Sequence, residues 1–385
     1  MNIKELELRK ETLQAIMKRE QVSAMLVSNN VNMFYTTGRI ISGYVFIPAE
    51  GEVQQFVRKP VGLDGLPGVV YVRRFEDIKD HVSEAFLSQP IMMELDGSTY
   101  GEIARFRKVF TGEMKNASAA LREARAIKTP YEQELLRLSG VNHVKSYQTI
   151  PTLFKRGMTD VDLSIEIEKA MRQAGCLGIF RIAGSSMEIF FGSLLAGDNA
   201  DNPSPYDFSM GGAGANGTLP VGSNGTLLEE GMCIMVDFGG NFTGYMTDTT
   251  RVYSVGAVKN ELALKAHAVS REICRAVEAE AKAGVAASEI YHLAMRIAKE
   301  NGLEEYFMGH KQKASFVGHG IGLEINESPV LAPRSKDILQ SGMVFALEPK
   351  FVIPQVGAVG VENSYIVHED GVECVTVSPE EIIEL

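Results

Sequence analysis

From residue 5 to residue 20, ELELRKETLQAIMKRE sets apolar side chains at helical spacing among charged ones, which predicts an amphipathic helix. The next apolar run, SAMLVSN, is short and of strand type. GYVFIPAEGEVQQFV reads as two strands around a Pro-Ala-Glu-Gly turn, and IMMEL near residue 93 as a further strand. Strands alternating with helices over residues 1–125 form the pattern of an α/β domain.

The pattern lengthens near residue 126. Thr129-Pro130, with acids in the turn that follows, predicts the start of a long helix, and Thr159-Asp160 opens a second one. Residues 259–301 supply two more helices. Gly-rich strand segments fill 177–257 and 314–378. The chain of 385 residues therefore divides into 1–125 and 126–385, an α/β domain followed by an α+β domain.

Composition narrows the function classes. The net charge of −11, with no block of consecutive basic residues, argues against a nucleic-acid partner. No apolar run reaches the roughly 20 residues that a membrane span needs, and the charged N-terminus does not have the form of a signal peptide. Cys176, Cys233, Cys274 and Cys374 are scattered and form no paired motif, so they read as reduced, buried thiols. Together these features predict a cytoplasmic protein.

Carboxylates then appear where strands should be apolar. In MCIMVDFGGNFTGYMTDTTR, Asp237 follows an apolar run and Asp248 lies in a Thr-rich one, with Asn-Phe-Thr-Gly midway. A hairpin closing there sets the two acids opposite each other on one face. In GMVFALEPKFVIPQVGAVGVENSYIV, Glu348 and Glu362 flank a second turn, Pro-Gln-Val-Gly, in the same way. Like charges facing each other destabilise a sheet unless a cation lies between them. His319, in GHGIGLEINESP, has glycines about it that allow close approach to a ligand. Four carboxylates and one imidazole suit two divalent ions, manganese first, with cobalt, iron and zinc as the other candidates. Such a pair activates a bridging water, and Glu348 or Glu362 is the expected proton carrier.

These segments resemble the metal motifs of the pita-bread metallopeptidase superfamily of creatinases, prolidases and methionine aminopeptidases. The resemblance rests on Asp237, on Gly244-Tyr245-Met246-Thr247-Asp248-Thr249-Thr250-Arg251, on Gly318 to Leu323, and on Leu347-Glu348-Pro349 and Val361-Glu362-Asn363. It also extends to the first domain through SAMLVSNNVNMFYTTGR and to the domain entry through IKTPYEQELLR, which favours the Xaa-Pro dipeptidase and Xaa-Pro aminopeptidase branch. It implies a creatinase-like N-terminal domain, a pita-bread catalytic domain, a homodimer, and metal-dependent cleavage of an amide bond in a small peptide or small-molecule amide.

The chain departs from that family in its substrate-binding histidines. None lies between His143 and His267; Ser204 and Val221 stand at the two alignable positions there. Ser315 occupies the place four residues before the ligand histidine, and Asn326 precedes Glu327-Ser328-Pro329. A Gly- and Asn-rich stretch, 201–219, falls where the substrate pocket is expected. Tyr206, Asp207, Ser315 and Asn326 are the candidate substrate residues, and His310 is expected at the surface. The peptidase reading ranks first, a non-peptidase hydrolase or lyase on the same fold second, and a non-catalytic peptide-binding module last.

Overall fold

The computed structural model describes residues 3–184, 191–206 and 208–385. Its packing divides the chain into two units, Met1–Arg125 and Ala126–Leu385.

The first unit is built on a six-stranded mixed sheet. Its strands are β1 (Ala24–Val27), β2 (Ser42–Pro48), β3 (Gln54–Lys59), β4 (Val69–Tyr71), β5 (Ile91–Met93) and β6 (Met114–Asn116), in the order β4-β3-β2-β1-β5-β6. The predicted first helix runs Ile3–Arg19, and the strands expected in 24–59 pair antiparallel as β1–β2 and β2–β3. Strand side chains alternate between faces, and one face carries Leu26, Phe46, Phe56 and Met93 into an aromatic core with Phe75 and Phe110. Arg9 is fully enclosed because its guanidinium has partners: Glu5 at 2.7 Å, the Tyr35 carbonyl at 3.0 Å and the face of the Tyr35 ring.

In the second unit, Thr129 caps the helix Pro130–Tyr147 by a reciprocal exchange with Glu132, and Thr159 does the same with Asp162 for Asp160–Gln173. Helices Glu261–Glu280 and Ala287–Glu300 pack their apolar faces into the main core. Among the described residues, no helix is long and apolar enough to cross a membrane.

The strands of this unit are β7 (Gly192–Ala196), β8 (Cys233–Asn241), β9 (Met246–Ser254), β10 (Gly318–Gly320), β11 (Glu327–Val330), β12 (Val344–Leu347), β13 (Lys350–Ile353), β14 (Gly357–Gly360), β15 (Asn363–Val367), β16 (Val372–Cys374) and β17 (Ile383–Glu384). They form a four-stranded sheet β17-β9-β8-β7, a five-stranded sheet β11-β10-β12-β15-β16 and the ribbon β13-β14.

Both expected hairpins exist, and their registers differ in a way that matters. Gly239 faces Asp248 and Asp237 faces Thr250, so the two aspartates lie diagonally on one face, not directly opposite. The turn spans Phe242–Tyr245, one residue later than Asn-Phe-Thr-Gly, which offsets the pairing by two. In the other hairpin Leu347 pairs Asn363 and Lys350 pairs Gly360, which leaves Glu348 opposite Glu362 as the sequence predicts. The proline at 349 divides this arm into two ladders.

Candidate metal centre and substrate cavity

The β8–β9 hairpin is held from beneath. The Tyr147 hydroxyl donates to the Thr249 carbonyl at 2.7 Å and accepts from the Phe238 N–H at 3.0 Å. The second arm is sewn to it through the acid-bearing positions themselves. Ser364 Oγ accepts from the Asp248 N–H at 2.9 Å and donates to the Asp248 carbonyl at 2.8 Å. Thr250 and Glu362 form a two-way backbone bridge, and Arg251, buried, donates to the Glu362 carbonyl at 2.9 Å and to Asn363 Oδ1 at 2.8 Å. Two acid-bearing hairpins thus become one rigid floor.

His319 sits on β10, between β11 and β12. Its Nε2 is 3.6 Å from Glu348 Oε1 and 3.9 Å from Asp248 Oδ2. The flanking glycines serve packing and not a ligand. A Cβ on Gly318 would stand 2.2 Å from the Ala346 carbonyl oxygen, and one on Gly320 2.2 Å from the Ser328 backbone. Beside this strand Lys128 and Glu327 form a fully buried ion pair at 3.0 Å, and Glu327 also accepts from the Leu323 and Glu324 N–H groups.

One residue of the floor escaped the sequence reading. Lys350 follows Glu348 by two positions, and its fully buried Nζ enters the acid cluster. It lies 2.7 Å from Glu348 Oε2, 2.8 Å from Asp237 Oδ2 and 3.0 Å from Glu362 Oε2, with Ser209 Oγ at 3.1 Å. The signal was present: two residues apart on an extended chain means the same face, and a lysine inside EPKFVI is a charge in an apolar run. Gly360, directly across from Lys350, leaves room for the lysine stem.

A cavity of about 410 Å³ opens over this floor. Asp237, Asp248, His319, Glu348 and Glu362 line its base, and Phe180, Ile182, Phe208, Met210, Phe316 and Ile325 form much of its wall.

The second domain, residues 134–369, matches the model of metallopeptidase family M24, and residues 9–127 match the creatinase/prolidase N-terminal domain. The chain belongs to metallopeptidase family M24. It is a metal-dependent, peptidase-like hydrolase with the pita-bread fold. It is 28% identical to the peptidase YqhT of Bacillus subtilis, over 97% of this chain and 99% of that protein. It is 25% identical to an Xaa-Pro dipeptidase of Pyrococcus furiosus, over 97% and 99%. The solved Xaa-Pro dipeptidase from Bacillus anthracis superposes with a TM-score of 0.82 at 25% identity, covering 99% of this chain and 100% of that one.

M24 membership implies divalent metal, and the residues fit one ion readily. Ligand atoms of Asp248, His319 and Glu362 lie within 4.8 Å of one another. Glu362 Oε2 accepts from Thr250 Oγ1 at 2.7 Å, while its Oε1 is buried without any partner. A buried carboxylate oxygen without a partner, on a residue grouped with a histidine and a second acid, is the kind of position a cation would satisfy. Burial first, then the neighbouring carboxylates, pushes Asp248 and Glu362 well above the usual carboxylate range, the strain that a cation relieves. The second group of ligand atoms, from Asp237, Glu348 and Glu362, surrounds the Lys350 ammonium. Burial alone would lower the Lys350 pKa; those three carboxylates overcome it and hold it well above the ordinary lysine value.

The substrate residues expected from sequence are placed unevenly in this M24 chain. Asn326 lines the cavity, but its amide is committed to both backbone groups of Ala183, at 2.7 and 2.9 Å. Ser315 is exposed and off the lining; the apolar Phe316 beside it faces the cavity instead. Tyr206 belongs to a neighbouring groove with Asp201 and Gln312, and Asp207 lies outside the described residues. The 201–219 segment reaches the cavity through Phe208, Ser209 and Met210, because Asn199 and Ser204 tie its ends to Gly222, Ala213 and Pro220. His310 pairs with Asp201 at 3.0 Å, away from the cavity, and is 28% exposed. Among the described lining residues, His319 is the lone histidine.

Proposed function

We propose that the protein hydrolyses the amide bond of a short, largely apolar substrate of the dipeptide class, with a divalent ion held by Asp248, His319 and Glu362. The observation that carries this reading is the convergence of these ligands, one with an unpartnered buried oxygen, at the base of an apolar cavity. Bound there, the ion supplies Lewis-acid polarisation of the scissile carbonyl and lowers the pKa of a water. Glu348 is the proton carrier. Its Oε2 is engaged by Lys350, while Oε1 faces His319 and the cavity, free to take a proton from the attacking water and return it to the leaving amine. Glu362 is less suited, since Thr250 and Lys350 hold its Oε2 and the residue would itself be one of the three holding the ion.

A second reading, a hydrolase of a small neutral amide, is favoured by the wall. Among its described residues there is no arginine or lysine to meet a free carboxylate, and no imidazole besides His319 to steady an oxyanion. Losing one such donor typically costs about 10²–10³ in turnover. The test is kcat/KM with saturating Mn²⁺ for Xaa-Pro dipeptides, longer peptides with proline second, and neutral apolar amides. The dipeptides are expected to be turned over slowly, and Glu348→Gln to lose most of that turnover with metal retained. A value on the order of 10⁶ M⁻¹s⁻¹ on an Xaa-Pro dipeptide sinks the second reading; metal-independent turnover sinks both.

A further inference from the structure

We infer that the Lys350 ammonium is a built-in cation that occupies one of the two cation positions of this centre, so that the protein takes up a single divalent ion where its five ligand residues would otherwise hold two. The inference rests on the reading that Asp248, His319 and Glu362 bind metal, and goes beyond it by assigning the other position to the chain itself.

The geometry is specific. The two sets of converging ligand atoms share Glu362, and the second set is Asp237, Glu348 and Glu362. Lys350 Nζ lies 2.7–3.0 Å from an oxygen of each of the three, as many carboxylates as an ammonium has N–H groups. A divalent ion needs oxygen ligands at roughly 2.0–2.2 Å from the same atoms, so ion and ammonium exclude each other. The lysine is pinned at both ends. Its backbone belongs to the β13–β14 ladder and its carbonyl accepts from Met308 N–H at 2.8 Å. Its side chain is fully buried, and Ser209, delivered by the 201–219 segment, closes the remaining side. Withdrawing the ammonium would leave Asp237, Glu348 and Glu362 without the charge they close on. By contrast, the Asp248–His319–Glu362 set retains an oxygen with no partner.

The test is metal stoichiometry of the full chain by calorimetric titration and elemental analysis with Mn²⁺ and then Co²⁺. Wild type is expected to take one equivalent, and Lys350→Ala two. Two equivalents in wild type would overturn the inference and leave the hydrolase reading intact. So would a single equivalent in a folded Lys350→Ala, since the lysine would then not be what limits uptake. No ion in either protein would overturn both. Should Lys350→Ala fail to fold, the electron paramagnetic resonance of Mn²⁺-saturated wild type decides: the spectrum of an isolated ion supports the inference, and the exchange-coupled spectrum of a close pair overturns it.

Discussion

Two buried lysines in the second domain do opposite things. Lys128 meets a single carboxylate, Glu327, whose other oxygen is filled by backbone N–H groups; charge and hydrogen bonds close on themselves. Lys350 meets three carboxylates with a fourth, Asp248, nearby, and one oxygen of the cluster stays unpartnered. The first arrangement fixes a loop against a strand. The second keeps several carboxylates under a cavity, as the proposed ion site requires. Counting partners, and not counting charges, separates a structural ion pair from a binding centre.

That contrast can be broken at either lysine. Lys128→Met should strip the buried Glu327 of its Lys128 partner and cost about 3–5 kcal/mol of stability, with Lys128→Met/Glu327→Leu recovering most of it; denaturant midpoints measure this, and metal content should not change. At the centre, Asp248→Asn should lose most of kcat/KM through lost metal. The metal-free variant should be no less stable than metal-free wild type, because a repelling charge is gone; a large loss of apo stability would make Asp248 a structural acid like Glu327. Chelation should lower the melting temperature of wild type, by the equivalent of about 2.7 kcal/mol when the ion was present at 100 times its dissociation constant. An unchanged melting temperature would mean that the excess charge is not there for an ion.

A pH-dependent effect lies beneath the hairpin. Burial first, then Arg251, depresses His143 from 6.5 to about 3, and its Nδ1 is 3.0 Å from Thr247 Oγ1, next to Asp248. A neutral folded form means that its contribution is complete above pH 6.5 and is lost as pH falls towards 3. The slope is at most about 1.4 kcal/mol per pH unit. His143→Asn should flatten the acid limb of the stability curve relative to wild type; identical limbs would show that His143 takes up its proton in the folded state.

The fold was largely legible from sequence because caps and periodicity are local. Thr129 and Thr159 start their helices by bonding groups three residues away, and both acid hairpins are set by short turns. Register was legible only to the precision of the turn, which is why Asp237 and Asp248 came out diagonal. The substrate side was hardest. Ser315 and Tyr206 were singled out by position along the chain, yet whether a loop residue faces a cavity depends on ties such as Asn199 to Gly222, which have no local signature. Lys350 was readable by parity with Glu348, but a lone lysine after a proline looks like a solvated strand end until the opposing acids are placed in space.

Glu362 belongs to both cation positions, and this gives the centre an unusual exchange behaviour. A free ion has a dissociation constant and follows its supply; a lysine on the backbone does not. When divalent metal is scarce the protein loses the two positive charges that were borrowed, and the one tethered charge keeps Asp237, Glu348 and Glu362 gathered around one point. Rebinding then needs one ion to find one prepared position, so occupancy should follow metal concentration as a simple first-order saturation, without the sigmoid of a site that must fill twice.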